Sequence, residues 1–203
     1  MTTGLRHDSS GRFEGSVRKV DSQHWLEGAR HCPSPNFDAR SDVDDISLLV
    51  VHGISLPPGR FGGDEVYRFF TNCLDCSSDP ALQDLAGVRV SSHLFIDRSG
   101  ALTQFVPFDC RAWHAGKSSY HGRSSCNDFS IGVELEGTDT TPYELSQYEV
   151  LADVAIALMA RYRRLSLSGV VGHQDIAPGR KTDPGPAFDW QRLMRACLSR
   201  MGA

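Results

Sequence analysis

Long apolar runs are missing from this sequence. No stretch approaches the roughly 20 residues needed to cross a bilayer, so no membrane span is expected. Basic runs are missing too. Lys plus Arg number 21 against 25 Asp plus Glu, a formal charge of −4, which gives little electrostatic footing for nucleic acid or an anionic membrane surface. Residues 1–25 carry no apolar segment of the kind that directs secretion, so a cytoplasmic protein is expected. There are six cysteines, but only one C-x-x-C, Cys73 and Cys76, and the second pair of a zinc ribbon is lacking. That pair sits in the polar stretch T-N-C-L-D-C-S-S-D-P and reads as reduced thiols in a loop. Gly116-Lys117-Ser118 mimics the end of a phosphate loop, but Arg111 stands where the earlier glycine belongs, which excludes one. H-E-x-x-H is absent as well, so any metal site must be assembled across the fold.

What is present suits a packed α/β domain. The chain has 203 residues, 40% hydrophobic and 23% charged, enough for one core and one domain. Residues 1–22 mix charges, Gly and Ser without periodicity and predict a disordered extension ahead of a domain over 23–203. The apolar run 47–51 ends at His52 and predicts a buried strand, followed by a Gly/Pro-rich loop. Residues 64–72 predict a short helix, and 88–97 with 102–107 a hairpin around Asp97-Arg98-Ser99-Gly100. Residues 129–136 alternate, with Phe129, Ile131, Val133 and Leu135 on one face and Ser130, Gly132, Glu134 and Glu136 on the other. Leu151, Val154, Ala155, Leu158, Met159 and Tyr162 recur at helical spacing within 144–163. Ser146-x-x-Glu149 is a candidate capping box for that helix, and Thr141-Pro142 an alternative start. A brief strand over 169–172 leads into His173, a Pro/Gly-punctuated loop spans 174–189, and a last helix over about 189–200 buries Trp190, Leu193, Met194 and Cys197. The expected fold is one mixed sheet with helices packed on it.

His52 and His173 each end a strand and open a loop, where a rigid sheet aims a side chain into free space. Asp183 follows His173 by ten residues, in K-T-D-P-G-P. Two imidazoles and a carboxylate are a set zinc accepts, leaving a fourth position for water. Each residue alone also reads as an ordinary core or surface group, and spacing does not decide between the two. Glu134 can take a proton from an attacking water, or belong to an exposed strand face beside Glu136. Lys181 can stabilise an oxyanion, or be a solvated loop lysine. Trp113-His114-Ala115-Gly116 and Tyr120 suggest a groove wall for sugar or peptide, with core packing the competing reading for Trp113. A Cys126–His114 nucleophile pair has no support in the spacing.

Several longer segments bear a resemblance. They are L-L-V-V-H-G-I-S-L-P-P-G-R-F-G-G (48–63), V-P-F-D-C-R-A-W-H-A-G-K-S-S-Y (106–120), C-N-D-F-S-I-G-V-E-L-E-G-T-D (126–139) and G-H-Q-D-I-A-P-G-R-K-T-D-P-G-P (172–186), with W-L-E-G-A-R-H-C-P-S-P-N-F-D-A-R (25–40) ahead of them. In this order, over about residues 25–195, the sequence resembles the zinc-dependent N-acetylmuramoyl-L-alanine amidases, most closely the type acting on 1,6-anhydro-muramyl peptides. The resemblance implies a central mixed β-sheet flanked by helices, as in peptidoglycan recognition proteins. It implies one zinc per chain on His52, His173 and Asp183, with Glu134 rather than Glu136 as the catalytic carboxylate and Lys181 as the transition-state stabiliser. Arg89, Trp113, Asn127 and Arg180 become candidate substrate contacts. The implied reaction is hydrolysis of the amide between the lactyl group of (anhydro-)muramic acid and L-Ala of a small muropeptide, in cell-wall recycling, by a cytoplasmic monomer, with an effect on β-lactamase induction. Two features depart from the family. The N-terminal extension is longer, and Gly53 follows the first ligand where relatives carry Asn, which removes one polar side chain. A peptidoglycan-binding module without catalysis is the second reading, against which the intact set His52, His173, Asp183 and Glu134 argues. A third is an amidase acting on polymeric peptidoglycan outside the cytoplasm.

Overall fold

The β-branched and aliphatic runs form the middle of a sheet. In the computed structural model, which describes residues 18–202, the strands are β1 (Arg30–His31), β2 (Phe37–Ala39), β3 (Leu48–Ile54), β4 (Leu94–Ile96), β5 (Leu102–Gln104), β6 (Cys110–Ala112), β7 (Ser119–Tyr120), β8 (Arg123–Ser124), β9 (Ser130–Glu136) and β10 (Val170–Gly172). The helices are α1 (Glu65–Phe70), α2 (Leu145–Arg161), α3 (His173–Ile176) and α4 (Trp190–Met201). Six strands pair in the order β1-β5-β4-β9-β3-β10, and only β4–β5, the expected hairpin, is antiparallel. The fold is therefore the expected mixed sheet flanked by helices. No helix among the described residues is long and apolar enough to cross a membrane.

Alternation splits the strands between two apolar clusters. Leu49 and Val51 of β3 and Ile131, Val133 and Leu135 of β9 pack with α2 and α4. Leu48, Val50 and Phe129 face the other side with Ile176 of α3, while α1 brings Phe69 and Phe70 to Phe95 and Phe105. Each fully buried aliphatic or aromatic side chain contributes about 1.5–3 kcal/mol. The polar face of β9 is not the exposed surface that alternation alone permits. Ser130, Gly132 and Glu136 are buried and Glu134 nearly so, because a central parallel strand is covered on both sides.

Local starts differ from the expectations in readable ways. The strand ending at His52 runs two residues further, to Ile54, and Gly137 N still donates to Ile54 O at 2.9 Å. Helix α2 is capped not by Ser146 and Glu149 but two residues earlier, where the Gln147 side chain accepts from Glu144 N at 2.9 Å. Ser146 Oγ instead donates to Arg98 O at 2.9 Å, and Glu149 pairs with Arg200 of α4 at 2.6 Å. Trp190 and Met194 pack beside the core half-buried, whereas Leu193 and Cys197 are fully buried as expected. Of the extension expected over 1–22, residues 1–17 lie outside the described residues. Residues 18–22 are tied to the domain: Val20 bridges Leu26, and Asp21 Oδ1 accepts from Gln23 N and Trp25 N.

His93, just ahead of β4, is fully buried with both ring nitrogens committed. Nδ1 accepts from Gly132 N at 3.0 Å, and Nε2 donates to Cys110 O at 3.1 Å. Burial, then the nearby Arg40 charge, lowers its pKa to about 3. The unfolded ring takes a proton near pH 6.5. Below that pH the unfolded state binds a proton that the folded state refuses, so stability falls as pH drops, down to about pH 3. Urea unfolding is expected to show a loss of about 2 kcal/mol from this group between about pH 6.5 and 5. The same slope in a His93→Gln variant would place the acid sensitivity elsewhere.

Candidate active site

Strand register brings distant residues to one level. His52 of β3 pairs directly with Glu134 of β9, and Gly172 of β10 pairs with Val51, which sets His173 beside His52. Neighbouring strands lie about 4.8 Å apart, so side chains at one register level on one face meet. His52 Nδ1 lies 2.9 Å from His173 Nδ1 and 3.4 Å from Asp183 Oδ2, and His173 Nδ1 lies 3.0 Å from that same oxygen. Asp183 arrives on the loop after α3, which Gln174 N holds by donating to Asp183 O at 3.0 Å.

These three atoms fit a metal cation. They lie within 4.8 Å of one another, and separations of 2.9–3.4 Å approach the roughly 3.3 Å edge of a tetrahedron with bonds of about 2.0–2.1 Å. Glu134 supports the same reading. Its Oε1 lies 4.0 Å from His52 Nδ1, and its Oε2 is buried without a hydrogen-bond partner among the described residues. Burial, then the charge of Asp183, raises the Glu134 carboxyl well above the usual range. Burial takes His52 down to about 4. His114, against His52, is likewise lowered well below its usual value by burial and then by the neighbouring imidazoles.

A cavity of about 520 Å³ opens over these groups. Its lining includes Glu134, His173, Asp183 and Lys181, and all four candidate substrate contacts, Arg89, Trp113, Asn127 and Arg180. Two of the four also shape the wall. Asn127 Oδ1 accepts from Ala115 N at 2.8 Å and His114 N at 3.2 Å, and Arg180 Nη2 donates to Ala115 O at 2.6 Å and Lys117 O at 2.8 Å. Tyr120 does not belong to this wall. It lines a separate cavity of about 290 Å³ with His121 and Arg123, because the β7–β8 hairpin carries it away. The Cys126–His114 pairing fails too: Cys126 is fully buried, and burial pushes its thiol up rather than towards a thiolate. Cys73 and Cys76, in the turn after α1, are free thiols, as expected.

Four contributions escaped the sequence reading. His114 Nδ1 lies 2.9 Å from His52 Nε2. Glu136 accepts from Gly62 N at 2.6 Å and Arg98 N at 3.1 Å, pinning the Gly/Pro-rich loop beside the cavity. At Gly53 a Cβ would stand 2.4 Å from the Tyr143 hydroxyl, which donates to Pro184 O at 3.0 Å. The phenol thus fills the space that a side chain at 53 would need. Arg40, from the segment that carried only the resemblance, sits almost fully buried behind the site, where its guanidinium meets five backbone carbonyls. The one available signal was the alternation of β9, whose polar face holds Ser130, Gly132, Glu134 and Glu136.

Comparison with known proteins agrees with this geometry. The N-acetylmuramoyl-L-alanine amidase family (Amidase_2) matches residues 42–186. The 1,6-anhydro-N-acetylmuramyl-L-alanine amidase AmpD of Escherichia coli K12 is 55% identical over 171 residues, covering 84% of this chain and 93% of that protein. A crystal structure of a Se-Met AmpD derivative superposes with a TM-score of 0.83 at 53% identity, over 86% of this chain and 97% of that one. A complex of the E. coli amidase AmiD with the substrate anhydro-N-acetylmuramic acid-L-Ala-D-gamma-Glu-L-Lys matches with a TM-score of 0.56 at 29% identity, over 89% of this chain and 65% of that one. A shared sheet, a convergent His/His/Asp set beside a buried carboxylate, and identity across most of the chain lead to one assignment: the chain belongs to the N-acetylmuramoyl-L-alanine amidase family.

Proposed function

We propose that this chain is a zinc amidase that hydrolyses the amide between the lactyl group of 1,6-anhydro-N-acetylmuramic acid and L-Ala of small muropeptides. The observation that carries the reading is the convergence of His52 Nδ1, His173 Nδ1 and Asp183 Oδ2 beside the unpartnered Glu134 Oε2, under one cavity. His52, His173 and Asp183 would hold the zinc. Bound there, zinc supplies Lewis acidity, polarising a carbonyl and lowering the pKa of water. Glu134 takes the proton of the attacking water and returns it to the departing amide nitrogen. The Lys181 ammonium, at the cavity wall, faces the oxyanion that develops on the lactyl carbonyl. Arg89, Trp113, Asn127 and Arg180 contact sugar and stem peptide from the surrounding wall.

We place the enzyme in the cytoplasm as a monomer, in cell-wall recycling, where removing anhydro-muropeptides keeps β-lactamase induction low. Free thiols at all six cysteines support a reducing compartment. The test is incubation of the purified protein with an anhydro-muramyl peptide and with its reduced, non-anhydro counterpart, with and without chelator, read by mass spectrometry. Free stem peptide is expected from the anhydro substrate, stopped by chelation and restored by zinc, with about one zinc per chain in the metal analysis. Release from neither substrate would sink the amidase reading.

A further inference from the structure

His114 has no part in the chemistry above, yet its ring is held on both nitrogens. The direction of each proton follows from the far end of the chain of contacts. Cys126 O is a carbonyl and only accepts, so Ser130 Oγ, 2.6 Å away, donates to it. The hydroxyl oxygen is then the acceptor for His114 Nε2 at 3.1 Å, which must carry the hydrogen. A neutral imidazole has one N–H, so His114 Nδ1 is bare and accepts from His52 Nε2 at 2.9 Å. The single N–H of His52 is therefore committed at Nε2, and its Nδ1 faces His173 and Asp183 as a lone pair. His173 reaches the same state by a shorter route, with Nε2 3.3 Å from the Ala115 carbonyl.

We propose that His114 and Ser130 form a tautomer relay that fixes His52 as an Nδ1 metal ligand, a role that rests on the zinc reading of the site. His114 is in this sense a positioning residue, and the strand beneath it is shaped to hold it. Gly132 lies between Ser130 and Glu134 on the same face of β9, and a Cβ there would stand 2.6 Å from His114 Cγ and Nδ1. The bare backbone at 132 gives the ring its seat, and Ser130 two residues earlier gives it its proton direction. Ligand-orienting hydrogen bonds of this kind typically alter metal affinity by about 10–100-fold when removed.

Two measurements test the relay. In metal-free, 15N-labelled protein at about pH 8, above the ordinary imidazole range, two-bond 1H–15N correlations show which nitrogen of His52 carries the proton. Nε2 is expected in the native chain, and a mixture of tautomers in Ser130→Ala and His114→Phe. Zinc competition against a chromophoric chelator should give a Kd raised about 10–100-fold in His114→Phe and by a smaller factor in Ser130→Ala. It should recover in part in His114→Asn, whose amide oxygen can accept near the Nδ1 position. Gly132→Ala, which alters no ligand, should weaken zinc by displacing the ring. Native zinc affinity in both His114→Phe and Ser130→Ala, or a proton on His52 Nδ1 in the native metal-free chain, overturns the relay. If His114→Phe does not fold, Ser130→Ala decides alone. A native chain that binds no zinc fails the metal reading instead, while the tautomer measurement still judges the relay.

Discussion

Replacing Glu134 by Gln should lower kcat for amide hydrolysis by about 10²–10⁴-fold, some 3–5 kcal/mol of barrier, and leave bound zinc at the native level. Gln keeps the shape of the side chain and removes only the ability to take a proton. The argument is positional before it is chemical. Register sets Glu134 beside His52, with Oε1 4.0 Å from Nδ1, outside the set of three convergent atoms but close enough to serve a water among them. Its other oxygen is buried without a partner, which costs about 1–3 kcal/mol for an ordinary polar group, a strain of the kind that function maintains. A carboxylate in such surroundings holds a proton more tightly than one in water and so accepts it more readily from the nucleophile. Steady-state kinetics with metal analysis on the same sample separates the outcomes. Lost zinc would make Glu134 a ligand, and an unchanged kcat would remove it from the reaction. Glu136, with both oxygens held by Gly62 and Arg98 amides, is the natural control and should retain turnover as Gln.

Arg40→Met should destabilise the fold by about 3–5 kcal/mol, seen as a fall of roughly 6–20 °C in Tm. Arg40 is 8% exposed and has no carboxylate partner among the described residues. Its guanidinium instead donates to Phe108 O, Asn127 O, Asp128 O, Cys110 O and Ser130 O, at 2.7–3.3 Å. Burial lowers its pKa to about 10, which leaves it charged at neutral pH. Methionine fills much of the volume but takes the guanidinium donors away from those carbonyls in a dry interior, with Cys110 O keeping its His93 Nε2 donor. Lys should rescue little, since one ammonium cannot reach the spread of acceptors that a planar fork reaches. A loss under about 1 kcal/mol in urea unfolding would show that water or neighbours replace the guanidinium easily. The same variant should weaken zinc, because residues 127–130 carry both the Asn127 wall and the Ser130 hydroxyl.

The elements were legible where the pattern is local. The β4–β5 hairpin around Asp97–Gly100, the strand over Ser130–Glu136 and helix α2 follow from turn chemistry and periodicity. The candidate metal set was partly legible: strand-end placement picked His52 and His173 and donor chemistry offered Asp183, but resemblance was needed to prefer that set over ordinary readings and Glu134 over Glu136. The structure separates the two positions. Glu134 pairs with His52 in register, while Glu136 pairs with Ile54 and reaches the loop instead. His114 stayed hidden because 62 residues separate it from His52, and only the loop between β6 and β7 turns its ring inward. Arg40 stayed hidden because an arginine reads as surface in any composition argument, and five carbonyls from two distant segments, 108–110 and 127–130, cannot be seen from its neighbours. The cap of α2 was misplaced because Ser146 found a better acceptor across the fold.

The pairing of β10, β3 and β9 at one level has a consequence for the connectors. His52, Glu134 and His173 are fixed by inter-strand spacing, not by the chain that joins them. Residues 55–93 and 137–169 can therefore gain or lose length at their surface turns at little cost, without changing the separation of a single reacting atom. Connector length is free to vary with the shape of what must be grasped, while the geometry of the proposed site stays constant. Asp183 and Lys181 are the exceptions: both are delivered by the loop after α3, and 174–182 is the stretch whose length the proposed chemistry cannot spare.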